Sequence, residues 1–313
     1  MKAVLVDPNA PGRLALGEAP KPKPAPHEAL VRVETISVNR GEVMFAQNNE
    51  PGSRIGWDIA GVVEAPAANG PGPAKGTRVV GWTKNETAWA ELAAVPLTEL
   101  CPLTPGLNPE VACTLPVAGL TALYTLERGE RLLGSRVLVT GATGGVGQFA
   151  VQLATLMGAE VVAPVRKADA VDGVKALGAV EVPVDTNGEA TRALGPYRLI
   201  VDGIGGDFLS AILPGLDQDG RAVLYGVSGG LNIAVPVPLM LGSGRGRIEG
   251  FTLYRDSEFE SSSKGLARLQ KLALSGRLQT PIAVRESWDK VGEIAQGLLD
   301  RSYTGKAVLH VGG

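Results

Sequence analysis

The stretch that decides the fold covers residues 136–154 and reads RVLVTGATGGVGQFAVQLA. It predicts a buried strand over 137–139, then a glycine-rich turn, then an amphipathic helix. Glycines in such a turn let the backbone approach a pyrophosphate, whose charge then lies against the amides at the helix N-terminus. The turn is formed by Ala142, Thr143, Gly144, Gly145, Val146 and Gly147, a GxGxxG pattern with alanine in first place.

The pattern is weak evidence by itself, and a tight turn without any ligand is the alternative interpretation. A strand before it and a helix after it strengthen the functional interpretation. We therefore predict that these six residues bind the phosphates of a dinucleotide.

Composition narrows the class of protein. A chain of 313 residues is long enough for two domains, each with its own core. A net charge of −2 gives no reason to expect nucleic acid or an anionic membrane as a partner. No apolar run reaches the roughly 18 residues of a membrane span, and the first residues resemble a strand more than a signal peptide. With Cys101 and Cys113 as the only cysteines, we expect a protein of the reducing cytoplasm.

The pattern of hydrophobic residues changes along the chain. The first hundred residues predict short strands at 3–6, 29–36, 59–64, 77–82 and 88–95, an all-β region of small-barrel character. Residues 107–129 are predicted to be helical. Beyond the glycine turn, strands at 160–163, 180–184, 198–202 and 221–225 alternate with helices at 168–177 and 208–215. Helices at 262–276 and 287–299 precede a last strand at 306–311. The alternation predicts a doubly wound parallel α/β sheet.

The residues after the second strand of this sheet bear on the choice of cofactor. An acidic residue at that strand tip binds the ribose 2′-hydroxyl of NAD, whereas an arginine there favours the 2′-phosphate of NADP. Here the strand ends in GAEVVAPVRKAD, with no acid at its tip and with Arg166 and Lys167 directly after it. We predict NADPH, since a guanidinium binds phosphate through two hydrogen bonds. The alternative is that both are solvated charges at a helix start.

The sequence resembles the medium-chain dehydrogenase/reductase superfamily, and within it the zinc-free, zeta-crystallin-like quinone oxidoreductase branch. The resemblance extends over nearly the whole chain, with its motifs in the family's order. They are VNRGEV (38–43), GWDIAGVVE (56–64), LPVAGLTALYTL (115–126), VTGATGGVGQFAVQLA (139–154), VDGIGG (201–206), GRAVLYG (220–226) and GKAVLHV (305–311). Short-chain dehydrogenases also have a TGxxxGxG turn, but no tyrosine here has a lysine four residues later.

The resemblance implies a domain organisation and a metal-free reaction. It implies a GroES-like catalytic domain over 1–114, completed by 254–313, with a Rossmann domain over 115–253 inserted in it. Where zinc-dependent relatives have a cysteine and a His-Glu pair, this chain has Arg40 or its neighbours and Trp57-Asp58. His27 and His310 belong to no ligand pair of family spacing, so no catalytic zinc is expected. Hydride would pass from the nicotinamide C4 to a quinone, or to the β-carbon of an enone or enoyl compound.

Several catalytic candidates follow from the resemblance. Asn39 matches the family's asparagine beside the nicotinamide, which gives it a catalytic and a cofactor-binding role. Glu42 matches an acid of the family, with a salt-bridged structural role as the alternative. Relatives often have a tyrosine where this chain has Met44. Tyr254 could replace that missing acid, or be an ordinary aromatic residue at a domain boundary.

Further residues are implied around the cofactor. Thr121 matches a position near the nicotinamide, with helix packing as the alternative. Gly226, Val227 and Ser228 match a segment whose backbone binds the carboxamide, and the alternative is a plain turn. Lys306 could approach the cofactor or be an exposed strand lysine.

The leading hypothesis is thus an NADPH-dependent, zinc-independent reductase of quinones or activated alkenes. The alternative is an NADPH-binding sensor or accessory protein with little catalysis, which the missing tyrosine suggests. A zinc alcohol dehydrogenase conflicts with the absent ligands. The family also suggests a homodimer formed through an edge strand near residues 247–252.

Overall fold

The computed structural model describes residues 1–241, 246–256 and 260–312. The chain divides into two compact units. The first, here called the terminal unit, comprises Met1–Leu120 and Ser257–Gly313, and the second, the inserted unit, comprises Thr121–Asp256. The first unit is therefore built from both ends of the chain.

The described residues form the following elements, numbered in chain order. The strands are β1 (Lys2–Val6), β2 (Leu14–Glu18), β3 (Glu28–Val38), β4 (Asp58–Ala65), β5 (Arg78–Trp82), β6 (Leu92–Pro96), β7 (Leu100–Pro102), β8 (Arg136–Val139), β9 (Glu160–Val162), β10 (Tyr197–Asp202), β11 (Leu216–Leu224), β12 (Arg247–Gly250), β13 (Ile282–Ser287) and β14 (Lys306–His310). The helices are α1 (Arg40–Ala46), α2 (Pro109–Cys113), α3 (Leu120–Glu127), α4 (Gly145–Leu156), α5 (Val171–Ala176), α6 (Glu189–Ala193), α7 (Gly206–Ile212), α8 (Val237–Leu241), α9 (Leu253–Asp256), α10 (Ser262–Leu274) and α11 (Val291–Leu299).

The terminal unit is organised around β3, a strand of 11 residues. Its sheet has the order β13-β14-β3-β4-β5-β7, with β6 also paired to β3. Ala29, Val31 and Val33 alternate with more exposed residues along β3 and lie in the core, as the period of a strand requires. The same core includes Ile36, Ile59, Trp89, Trp288 and Leu309.

Three strand ends meet at one place in this sheet. β4 and β14 both run antiparallel to β3, so the end of β3 lies beside the first residues of the other two. Ser37 pairs with Asp58, and Val38 pairs with Ala307. Residues 39, 58 and 306 are thereby brought together although they are far apart in sequence.

The inserted unit has a parallel sheet of order β12-β11-β10-β8-β9. The chain leaves β8 through α4 to reach β9 on one side, and it later returns to β10 on the other side of β8. The glycine turn therefore follows the strand at which the winding direction reverses, which is where open α/β sheets bind ligands. This is the doubly wound fold that the strand alternation predicted.

Two predicted strands differ from the structure. The run over 180–184 forms only isolated bridges, of Glu181 with Val162 and of Val184 with Val165. Pro183 supplies no N–H for a continuous ladder there. The run over 88–95 becomes a strand only from Leu92 to Pro96. Its earlier part instead lies against the loop after α1, where the amide of Trp89 donates to the carbonyl of Ile55, and Trp89 is completely buried there.

The loop between α1 and β4 provides a test of the terminal core. Gly56 has φ +115°, and an added Cβ would lie 2.1 Å from Cγ of Trp89. Gly52 has φ +82° with no atom within 4 Å of such a Cβ. We expect Gly56→Ala to lower the free energy of unfolding by about 3 kcal/mol or more. Gly52→Ala, the matched control, pays only the backbone strain of about 1 kcal/mol.

Tryptophan fluorescence during denaturant unfolding measures both variants. All four tryptophans, Trp57, Trp82, Trp89 and Trp288, belong to the terminal unit, so their emission reports on that unit alone. Equal losses for the two variants would refute the packing argument.

Candidate functional site

The glycine turn begins directly after β8. Gly141 has φ +63°, a left-handed conformation that favours glycine, whereas Ala142 does not have a positive φ and so needs no glycine. A Cβ on Gly147 would lie 2.2 Å from the carbonyl oxygen of Gly141 and 2.8 Å from Cα of Ala142. Gly147 therefore permits the close contact of α4 with the turn. Sequence reasoning missed the role of Gly141, whose only signal was its place one residue before the motif.

The start of α4 suits an anion. The helix begins at Gly145, directly after Gly144, so the amides of Gly145, Val146 and Gly147 belong to its first turn and lack intrahelical acceptors. The Gln148 side chain donates a hydrogen bond of 2.8 Å to the carbonyl of Thr143 and so holds the turn in place. The arrangement can bind a phosphate through backbone groups.

Thr140 and Asp202 form a buried hydrogen-bonded pair that joins the start of the glycine turn to the loop after β10. The Thr140 hydroxyl donates to Oδ1 of Asp202 at 2.6 Å, and the amide of Gly203 donates to the Thr140 hydroxyl at 3.0 Å. The amide of Gly205 donates to Oδ2 of Asp202 at 2.7 Å. Burial raises the pKa of Asp202, while these hydrogen bonds oppose the shift. This anchor ties the carboxyl end of β8 to that of β10, and sequence reasoning did not identify it.

The segment after β11 packs on the same loop. The Ser228 hydroxyl donates to the carbonyl of Gly203 at 3.0 Å. A Cβ on Gly226 would lie 2.8 Å from that carbonyl oxygen, and Val227 is exposed. The structure therefore brings these three residues next to the loop that follows β10.

Arg166 and Lys167 follow β9, which lies parallel to β8. The two strands therefore end at the same edge of the sheet, the edge that carries the glycine turn. Both side chains are exposed. The described part of the chain provides neither side chain with a hydrogen bond or an ion pair, so both cations remain available to an anion.

Two other candidates also belong to the inserted unit. Thr121 is buried in α3, and its carbonyl accepts a hydrogen bond of 2.7 Å from the Thr125 hydroxyl. Tyr254 is half-buried in the short helix α9.

The terminal unit contains a cluster of four polar side chains where its three strand ends meet. We call Asn39, Glu42, Asp58 and Lys306 the Asp58 network. Glu42, Asp58 and Lys306 are buried, with 2 % of Lys306 exposed, whereas Asn39 is only partly buried. The lysine is thus not an exposed strand residue.

Each oxygen of Asp58 accepts a hydrogen bond. Oδ1 accepts from the amide of Val117 at 2.9 Å, and Oδ2 accepts from Nδ2 of Asn39 at 2.8 Å. Nζ of Lys306 lies 3.5 Å from Oδ2. Burial raises the pKa of Asp58, and the Lys306 ammonium is the largest opposing influence.

Glu42 lies at the start of α1 and binds two backbone amides. Its Oε2 accepts from the amide of Asn39 and its Oε1 from that of Trp57, each at 2.6 Å. Burial and the neighbouring Asp58 carboxylate raise the pKa of Glu42 well above its ordinary value. Its carboxylate therefore holds the backbone at Asn39 and at Trp57 in place.

An aromatic pair lies next to the network. The rings of Phe45 and Trp57 meet edge to face, with centroids 5.6 Å apart. Trp57 is nearly buried and packs over Gly41, while Phe45 and Met44 are partly exposed. Met44 and Phe45 give α1 an apolar surface that could contact a substrate.

Comparison with known proteins identifies the family. The family model described as alcohol dehydrogenase GroES-like domain matches residues 25–126, and the one described as zinc-binding dehydrogenase matches 145–268. Together they cover more than two thirds of the chain. The chain belongs to the medium-chain dehydrogenase/reductase superfamily, in its quinone oxidoreductase-like branch. It is therefore an oxidoreductase of a family that binds a nicotinamide cofactor.

Individual relatives of this medium-chain dehydrogenase/reductase span most of its length. Quinone oxidoreductase-like protein 2 of Bos taurus is 26 % identical over 92 % of this chain and 86 % of its own. Acryloyl-coenzyme A reductase of Sulfurisphaera tokodaii is 23 % identical over 99 % of both chains. A mycobacterial protein solved in complex with NADPH is 26 % identical and superposes with a TM-score of 0.86 over 99 % of both chains.

Metal-ligand clusters and membrane-spanning helices are both absent from the described residues. Over residues 1–241, 246–256 and 260–312, no three His, Cys, Asp or Glu side chains are grouped closely enough to hold a metal ion. None of the helices in those ranges is both long enough and apolar enough to cross a membrane.

The close contact at Gly147 generates a prediction for cofactor binding. Gly147→Ala must displace the turn, so we expect the affinity for NADPH to fall by about tenfold or more, equivalent to about 1.4 kcal/mol. Isothermal titration calorimetry measures the change. Gly173→Ala is the matched control, because nothing lies within 4 Å of its added Cβ in α5. Unchanged affinity in Gly147→Ala would contradict the role of the turn.

Proposed function

We propose that this protein is a zinc-independent oxidoreductase that transfers a hydride from NADPH to a quinone or to an activated C=C bond. The choice of NADPH rests on Arg166 and Lys167, which have no hydrogen-bond or ion-pair partner among the described residues and lie at the sheet edge that also carries the glycine turn. The NADPH complex of the mycobacterial protein supports the same choice of cofactor.

The residues present fit a nicotinamide dinucleotide. Only glycine fits at Gly147 and Gly226 without moving the backbone, and the first amides of α4 are available for a phosphate. We propose that Arg166 and Lys167 bind the 2′-phosphate and that the backbone of Gly226, Val227 and Ser228 holds the carboxamide. When bound, NADPH supplies the hydride.

The chemistry of the donor set supports a reaction without zinc. All four oxygens of Glu42 and Asp58 accept hydrogen bonds from the protein, and an ammonium already lies beside Asp58. A divalent cation at this place would be repelled by Lys306 and would have to displace these donors. The two residues therefore do not fit as metal ligands, although one matching family model carries a zinc-binding description.

The names of the relatives and the surface of α1 support the substrate class. One relative is called quinone oxidoreductase-like and another acryloyl-coenzyme A reductase. Quinones and enoyl compounds share an oxygen that becomes negative as hydride adds to the conjugated system. We propose that the Asn39 amide donates a hydrogen bond to that oxygen and that Met44 and Phe45 contact the apolar part of the substrate.

Two properties of the protein complete the proposal. We propose a homodimer through β12, the strand at one end of the parallel sheet, whose outer edge has no partner within the described chain. Cys101 and Cys113 are buried free thiols, which is typical of the reducing cytoplasm, the location we propose.

Removing the two cations tests the choice of cofactor. We expect Arg166→Ala/Lys167→Ala to lower kcat/KM for NADPH about 10- to 100-fold, the value of one or two hydrogen bonds to a charged group. The value for NADH should stay the same, because NADH lacks the 2′-phosphate. The control Lys175→Ala/Arg192→Ala removes two exposed cations from helices α5 and α6 of the same unit.

The assay measures NADPH oxidation with quinones, enones and enoyl thioesters in the presence of EDTA. Equal losses with NADPH and NADH would contradict the phosphate site. Loss of activity with EDTA would contradict zinc independence. Tight NADPH binding without turnover of any substrate would favour a sensor or accessory role.

A further inference from the structure

The side chain of Asn39 lies between two opposite charges. Its Oδ1 accepts a short hydrogen bond from Nζ of Lys306, and its Nδ2 donates to Oδ2 of Asp58 at 2.8 Å. A flipped amide would place N–H groups against the ammonium and an oxygen against the carboxylate. The charges therefore permit only one orientation of the amide.

We propose that Lys306, together with Asp58, is a positioning residue that fixes and polarises the Asn39 amide for catalysis. The amide keeps one Nδ2 hydrogen that these bonds do not use, and this hydrogen is the donor to the developing oxyanion. This inference rests on the proposed reductase function, which it extends from Asn39 to the charges behind it.

The hydrogen bonds of Lys306 indicate that it acts through Asn39. An ammonium has three hydrogens, and three acceptors surround this one: Oδ1 of Asn39, the Val38 carbonyl at 3.3 Å and Oδ2 of Asp58 at 3.5 Å. Lys306 is also 2 % exposed. Lys306 therefore has no hydrogen left for a cofactor phosphate or a substrate. These contacts speak against the expectation from the sequence that Lys306 approaches the cofactor.

Because Lys306 is buried, its charge acts strongly on the side-chain amide of Asn39. An ammonium hydrogen-bonded to Oδ1 withdraws electron density from the amide and so strengthens its N–H groups as donors. Glu42 also holds the backbone of Asn39, because its Oε2 accepts a hydrogen bond of 2.6 Å from the backbone N–H of Asn39. Asn39 is the only partly exposed member of the network, so it alone presents a donor at the surface of the unit. A donor that is oriented in advance stabilises charge without reorganisation during the reaction.

The proposed hydride transfer needs no proton from the Asp58 network. With NADPH bound, its C4–H bond would break to supply the hydride and NADP+ would be left, while a new bond to hydrogen would form at the substrate carbon or the quinone. The electron pair of the reduced bond would move to the substrate oxygen, to which Asn39 would donate a hydrogen bond. Solvent water supplies the proton that completes the product.

The first experiment is a kinetic double-mutant cycle with Asn39→Ala, Lys306→Met and the combined variant. We expect Lys306→Met to lower kcat about 10- to 100-fold, approaching the effect of losing one oxyanion donor. The NADPH dissociation constant should change less than about threefold, because Lys306 does not contact the cofactor. If Lys306 acts through Asn39, the combined variant is no slower than Asn39→Ala alone.

Two further variants keep the test interpretable. Asp58→Asn/Lys306→Met removes both charges together, so it folds more readily than a variant with one uncompensated charge, and it should show the same loss of kcat. Lys290→Met removes an exposed lysine of the same unit and should leave kcat unchanged. Retention of kcat by both Lys306 variants, or an additive loss in the combined variant with Asn39→Ala, would overturn the proposal.

A second readout does not depend on activity. In protein labelled with ¹⁵N-asparagine, the Asn39 side-chain resonances, assigned by Asn39→Ala, should include one slowly exchanging hydrogen, the one bonded to Oδ2 of Asp58. Lys306→Met and Asp58→Asn/Lys306→Met should both shift them and accelerate exchange, whereas Lys290→Met should not. Unchanged resonances in both Lys306 variants would overturn the proposal. If the wild type reduces no substrate but its resonances respond in this way, only the reductase function fails.

Discussion

The terminal unit depends on a buried ion pair between Asp58 and Lys306. Taking a carboxylate and an ammonium out of water costs several kcal/mol each, and only close pairing with full hydrogen bonding offsets that cost. Here Val117 and Asn39 complete the donors to the carboxylate, and Asn39 and Val38 complete the acceptors for the ammonium. Removing Lys306 would leave the Asp58 carboxylate buried without its cation, and removing Asp58 would leave the Lys306 ammonium buried with only the more weakly placed Glu42 as a neighbouring carboxyl.

The ion pair joins the two ends of the chain within this unit. Lys306 begins β14 near the C-terminus, whereas Asp58 begins β4 and Asn39 follows β3 near the N-terminus. β14 pairs directly with β3, so the last strand completes both the sheet and the charge balance. The inserted unit can then occupy the middle of the chain without interrupting the network.

The sequence predicted the inserted unit better than it predicted the network. The glycine turn and its flanking strand and helix are local features, and local periodicity was sufficient to predict them. The predicted strand over 180–184 failed because Pro183 lacks an amide hydrogen. The Thr140–Asp202 anchor and the burial of Lys306 depend on strand register, which local patterns do not specify. Glu42 was named as a catalytic candidate, yet its fully buried carboxylate binds two backbone amides, which suits a structural role.

The measurement that tests this account most directly is the coupling free energy between Asp58 and Lys306. Asp58→Asn, Lys306→Met and the double variant are unfolded by denaturant at pH 7 and followed by tryptophan fluorescence, which reports on the terminal unit. If the two charges stabilise one another, the double variant is more stable than the sum of the single losses implies, by about 2 kcal/mol or more. Single losses that add within about 0.5 kcal/mol would contradict it.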